Sequence, residues 1–162
     1  MMIKYDRANF VENLVHHEGL VLNVYQDTLG IDTIGVGRNL QDRGISDEEL
    51  AEMGIPNIEA VYEKGITDDN AIYLACNDIV IVEEELAAAH PCVLELDAER
   101  QLVLMDMAFN MGVPRLKNFK NMWAAIHEQD FETASKEMLD SRWSKQVGRR
   151  SVILSAKMRD GI

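Results

Sequence analysis

The sequence predicts an α+β fold, mostly α-helical, with one small antiparallel sheet close to the N-terminus. Three observations carry this. Apolar residues recur at three- and four-residue spacing through most of the 162-residue chain, the period of a helix with one buried face. A strand-like pattern is confined to residues 20–40, where Gly30, Gly35 and Gly37 punctuate it. Cap and stop residues then cut the remainder into segments of helix length.

In chain order, residues from about 3 to 18 place Phe10, Val11, Leu14 and Val15 at helical spacing, and Gly19 follows as a stop signal. Residues 20–40 alternate weakly, which suits a small, bent antiparallel sheet. Ser46-Asp47-Glu48-Glu49 is a capping box opening a short helix that Gly54 ends, and Pro56 marks the next turn or helix start. Thr67 caps the longest helical pattern, which runs to about His90 and is ended by Pro91. Its Ala71, Leu74, Ala75, Ile79, Val82 and Leu86 recur along one side. At about 1.5 Å per residue such a helix exceeds about 30 Å. Residues 97–111 are apolar almost all round, so they form a central core helix. Short helices over about 114–116, 120–128, 130–139 and 149–159 complete the chain.

With 47% apolar and 27% charged residues the chain reads as globular. Its length fits one cooperative unit that buries about two-thirds of its unfolded surface. No run approaches the roughly 20 apolar residues of a membrane span, so no stable membrane insertion is expected. The start, MMIKYDRANF, lacks the basic start followed by an apolar core that marks a secretory signal, which points to synthesis and folding in the cytoplasm. Cys76 and Cys92 read as two reduced thiols, and the nine methionines as gap-filling core. A net charge of -12 leaves no basic stripe to neutralise phosphates, so no nucleic-acid partner is expected. The same charge slows encounter with an anionic polymer unless salt screens it.

The chemistry concentrates in Glu18 to Gly37, EGLVLNVYQDTLGIDTIGVG. A carboxylic acid at a helix end, a second carboxylate in a turn and a strand hydroxyl are the parts needed to cut a glycosidic bond. Glu18 is the candidate general acid, because partial burial of a carboxyl favours the protonated form that an acid catalyst needs. Its plain alternative is a solvated surface glutamate, as most of the 28 acidic residues are. Asp27 is the candidate for orienting and deprotonating a water, or for stabilising the positive centre; alternatively it is a turn aspartate accepting from the amides of Thr28 and Leu29. Thr33 is the candidate for holding the attacking water, or is an ordinary strand threonine. Asp32 points to the opposite face of its strand and is excluded. His16-His17-Glu18 lacks the i, i+4 histidine spacing of a helical metal site, so neither metal nor cofactor is expected.

Tyr25-Gln26-Asp27-Thr28-Leu29-Gly30 and Thr33-Ile34-Gly35-Val36-Gly37, following Glu18, closely resemble the motifs of the T-even-type bacteriophage lysozymes of glycoside hydrolase family 24. The resemblance continues through Ile66-Thr67-Asp68, Leu96-Asp97-Ala98, Phe109-Asn110-Met111-Gly112, Ser141-Arg142-Trp143 and Gln146-Val147-Gly148-Arg149-Arg150. It implies a single two-lobed, lysozyme-like catalytic domain: a small sheet lobe at about 19–66, a bridging helix at about 67–90, and a helical lobe at about 91–162 joined by the N-terminal helix, with a cleft between the lobes.

It further implies an endolysin muramidase, acting as a monomer on bacterial peptidoglycan with inversion. Such an enzyme reaches the wall from the host cytoplasm once a separate holin-like protein has opened the membrane. Glu18, Asp27 and Thr33 take the catalytic places. Arg150, with Arg149 as its neighbouring alternative, takes that of an arginine contacting the glutamate. Asn110 takes that of a cleft glutamine, with Trp143 beside it as core and support. Asp106 and Asn110, four apart, share one helix face. Where the family often carries histidine, this chain has Arg38, expected to pair with Asp78 and to remove a titration near neutral pH. A lytic transglycosylase, or a non-catalytic wall-binding or adaptor protein, are the competing readings.

Overall fold

The computed structural model describes residues 3–161; Met1, Met2 and Ile162, counted in the expected single domain, lie outside the described residues. Two compact units emerge, Arg7–Ile79 on the one hand and residues 3–6 with 80–161 on the other. The first helix, α1 (Arg7–Glu18), falls in the sheet-bearing unit, whereas its sequence reading set it with the later helices. It also begins four residues later than the periodicity suggests. The segment before it is tied elsewhere: Lys4 donates its backbone N–H to Gln101 Oε1 and its ammonium to the Leu96 carbonyl, both at 2.8 Å. Tyr5 gives its hydroxyl proton to Glu83 Oε1 at 2.6 Å. A chain held this way cannot wind into the first turn of a helix.

In the sheet-bearing unit, β1 (Val21–Gln26), β2 (Asp32–Gly35) and β3 (Arg38–Asn39) form an antiparallel sheet in that order. Tyr25 pairs with Thr33 and Gln26 with Asp32, and an irregularity between Val21 and Tyr25 bends β1. The capping box is formed in full: Ser46 Oγ accepts from the Glu49 N–H and Glu49 Oε1 from the Ser46 N–H, both at 3.1 Å, opening α2 (Asp47–Met53). Gly54 closes it in the left-handed region at φ 70°. Asn57 caps α3 (Ile58–Lys64), and Thr67 Oγ1 accepts from the Asn70 N–H at the start of α4 (Asp68–Ala89). Ile34, Leu50, Val61, Ile66, Ala71 and Leu74 form the unit's core cluster.

Beyond α4, Pro91 starts a short 3₁₀ segment, Pro91–Glu95, which helical periodicity does not reveal. Asp97 caps α5 (Ala98–Met111), which buries Val103, Leu104, Met105 and Met107 as a core helix should. There follow α6 (Val113–Leu116), α7 (Lys120–His127), α8 (Phe131–Leu139), α9 (Arg142–Val147) and α10 (Arg149–Asp160). The helix α9 is an addition to the sequence expectation; Ser141 caps it by accepting from the Ser144 N–H at 3.1 Å. α10 packs on α8, α5 and α9, and α7 on α8. Met105, Met107, Met122, Met138 and Met158 are buried, in keeping with methionine as core filler. Cys76 and Cys92 are free thiols. Among the described residues no helix is long and apolar enough to cross a membrane.

Candidate active site

Glu18 is the last residue of α1 and is half-buried. Gly19, at φ 80°, stops the helix there, its N–H reaching the Val15 carbonyl at 2.9 Å. The chain then enters β1 and returns through a turn whose hub is Asp27. The Asp27 N–H donates to the Ile31 carbonyl at 3.0 Å, and its carbonyl accepts from the Gly30 N–H at 2.9 Å. Its carboxylate Oδ1 accepts from the amides of Leu29 (2.8 Å) and Ile31 (2.9 Å). Ile31 thus stands where the sequence suggested Thr28, because Gly30, at φ 77°, folds the chain back toward the carboxylate. Oδ2 takes no hydrogen bond among the described residues.

Thr33 follows on β2 and is 4% exposed. Its hydroxyl donates to the Ile31 carbonyl at 2.9 Å, so the single proton of Oγ1 is committed and only its lone pairs remain. Asp32 instead accepts from the Tyr62 hydroxyl at 2.8 Å. Tyr25 stands opposite Thr33 in the ladder. Burial, then the carboxylate charges of Glu18 and Asp27, push its phenol above the ordinary value, which places one hydroxyl in the field of both acids.

Behind the hairpin lies a charge network larger than the pair the sequence suggests. Arg38 is 2% exposed. Its Nε donates to Asp78 Oδ2 at 3.0 Å, Nη1 to Glu49 Oε1 (3.0 Å) and the Gly44 carbonyl (2.9 Å), and Nη2 to Glu49 Oε2 (2.8 Å) and the Leu74 carbonyl (3.2 Å). These bonds match the N–H groups of a guanidinium one for one. Asn77 adds a bond to Glu49 Oε2 at 2.9 Å, and Arg43 meets Asp78 Oδ1 at 2.7 Å. Burial acts to raise the Glu49 carboxyl, but hydrogen bonds from Arg38, Asn77 and the Ser46 amide, with the Arg38 charge, bring it down to about 2. Burial pushes the Asp78 carboxyl up against the pull of the two arginines. Glu49 and Arg43 escaped sequence reasoning: Glu49 already has a local task in the capping box, and nothing in its spacing shows a second partner.

The remaining candidates lie in the later unit. Arg150 binds Asp106, with Nε to Oδ1 at 2.7 Å and Nη2 to Oδ1 at 2.6 Å. Trp143, buried, donates its indole N–H to Asn110 Oδ1 at 3.1 Å. Asp106 and Asn110, on one side of α5, are therefore each engaged by a residue from the C-terminal segment. Arg149, the alternative to Arg150, is exposed. Among the described residues no cluster of three or more His, Cys, Asp or Glu side chains is arranged to hold a metal ion.

The family model described as phage lysozyme matches residues 15–159. Over 152 residues the chain is 30% identical to the pre-baseplate central spike protein of Enterobacteria phage T4, covering 88% of this chain and spanning only 26% of that protein's length. It is 27% identical over 154 residues to the probable T4-type lysozyme 1 of Dictyostelium discoideum, and 26% identical over 152 to the probable T4-type lysozyme 2 of the same organism. Each of these two alignments covers 89% of both chains. On a family match that takes in the last turn of α1, the hairpin and nearly all that follows, the chain belongs to the phage lysozyme family and is a glycosidase of the lysozyme kind.

Proposed function

We propose that the protein is an inverting muramidase that hydrolyses the β-1,4 bond between N-acetylmuramic acid and N-acetylglucosamine in peptidoglycan. Glu18 delivers its proton to the glycosidic oxygen as the bond to the anomeric carbon breaks. A water attacks that carbon from the opposite face and loses its proton to Asp27. The observation that carries this reading is the division of labour in the turn. Asp27 Oδ1 is occupied by two amides while Oδ2 is open, and the proton of Thr33 is already given to Ile31. A water between Oδ2 and Thr33 Oγ1 must donate both of its protons to them, which leaves a lone pair for attack. In the same reading Arg150, held by Asp106, and the Asn110–Trp143 pair support the reaction. The biological setting is release of phage: the enzyme accumulates in the host cytoplasm and lyses the wall after a holin-like protein opens the membrane.

The test is digestion of purified peptidoglycan with mass analysis of the sugar ends and NMR of the first anomer formed. Reducing muramic acid ends in the inverted configuration are expected. Anhydro-muramic ends would make the protein a lytic transglycosylase, which needs no water from Asp27 and Thr33. No cleavage across pH and salt would leave a wall-binding or adaptor protein. Glu18→Gln should lower turnover by at least ~10²-fold, the scale of general acid catalysis; activity within tenfold of the parent would remove Glu18 from that role.

A further inference from the structure

We propose that Tyr25 is a further substrate-contacting residue of this site, its phenol donating a hydrogen bond to an oxygen of the reacting complex at the Asp27–Thr33 face. The inference rests on the muramidase reading and adds a group to it. Tyr25 and Thr33 are cross-strand partners, and directly opposed side chains leave an antiparallel sheet on the same face. Asp27 lies two residues beyond Tyr25, just past the end of β1, and the two-residue period of an extended chain keeps it on that side.

The ring is half-buried, while its hydroxyl has no hydrogen-bond partner among the described residues and is not among the buried polar atoms, so its proton is open to solvent and to a ligand. Burial and the charges of Glu18 and Asp27 all act to keep its proton in place, so the group is a donor and not a phenolate.

Neither Asp27 nor Thr33 offers this face a donor. Thr33 has given its proton to Ile31, and Asp27 accepts. The proton of Glu18 is destined for the leaving oxygen. A water that donates to Asp27 and Thr33 and attacks through one lone pair has a second lone pair to satisfy, and a sugar hydroxyl or N-acetyl carbonyl presents the same acceptor chemistry. Tyr25 supplies the matching O–H.

The deciding experiment compares wild type, Glu18→Gln and Tyr25→Phe on soluble, uncrosslinked glycan strands, with thermal melting of each. Phenylalanine keeps the ring and removes only the hydroxyl. The expected result is an unchanged melting temperature and kcat/KM lowered by about tenfold, the scale of one lost hydrogen bond. A fall confined to kcat identifies the attacking water as the acceptor, and a rise confined to KM identifies a sugar oxygen. Replacement of Tyr25 by a ring-fluorinated tyrosine, which keeps the shape but loses its proton at lower pH, should move the alkaline limit of kcat/KM downward. A Tyr25→Phe enzyme within about twofold of wild type, or an unmoved alkaline limit, overturns the proposal. Absence of cleavage by wild type overturns the muramidase reading itself, and the role of Tyr25 with it.

Discussion

Asp27 uses its two carboxylate oxygens for different ends. Oδ1 closes the turn through the Leu29 and Ile31 amides, while Oδ2 takes no hydrogen bond among the described residues. Structure and chemistry are therefore separable by substitution. In Asp27→Asn the amide oxygen can keep both backbone bonds, and an NH₂ group then stands where the water needs an acceptor. Turnover should fall by about 10²-fold with little change in melting temperature, measured by wall digestion and thermal melting side by side. A large loss of stability would show that the charge, and not only the oxygen, holds the turn. The placement of Glu18 at a helix end, Asp27 in a turn and Thr33 on a strand was readable in the sequence because they sit within one helix–hairpin segment, where spacing and glycine stops translate directly into geometry. The role of Ile31 as a donor to Asp27 was not, since it depends on the φ of Gly30 and not on any side chain.

At the level of elements, Arg38 joins β3 to α2 through Glu49 and to α4 through Asp78. Arg38→Ala leaves two carboxylates without their main partner and should cost about 3–5 kcal/mol in urea denaturation, the usual cost of breaking a buried ion pair; an unaltered midpoint would show that the network adds no stability. The acid limb follows from the shift at Glu49. A carboxyl lowered from 4.5 to about 2 contributes stability that is complete above about pH 4.5 and is lost as pH falls toward 2. Asp78, raised by burial, has the opposite sign: it favours the fold where it is protonated, and that contribution fades as pH rises past the ordinary 3.8. Melting temperature should therefore drop between pH 5 and pH 2, and drop less in Glu49→Gln. Arg38→His should introduce a second dependence. An imidazole between two carboxylates has a raised folded-state value, so its stabilisation is full below about 6.5 and is lost as pH rises. Gly65 is a separate element-level constraint. At φ 74°, a Cβ there would run into the Leu22 carbonyl and the Asn23 side chain, so Gly65→Ala should cost more than the ~1 kcal/mol of a strained backbone alone.

For the molecule as a whole, the charge of -12 sets an expectation about the wall. A like-charged polymer is approached more readily as the Debye length shrinks from about 30 Å at 0.01 M salt to about 8 Å at 0.15 M. Initial rates of wall digestion should rise over that range, where a basic enzyme would slow. Helix boundaries set by local caps, at Ser46, Thr67 and Asp97, could be read from sequence; those set by partners far along the chain could not. Residues 3–6 are the clearest case, with the Lys4 amide waiting for a side chain 97 positions later. Their membership of the unit that holds 80–161 has a consequence for synthesis. At about 5–20 residues per second, the N-terminal segment stays without its Gln101 acceptor for roughly 5 to 20 s after it is made. All of Arg7–Ile79 is polymerised in that interval, so a nascent chain released before residue 101 lacks the partner that ties down its own first residues.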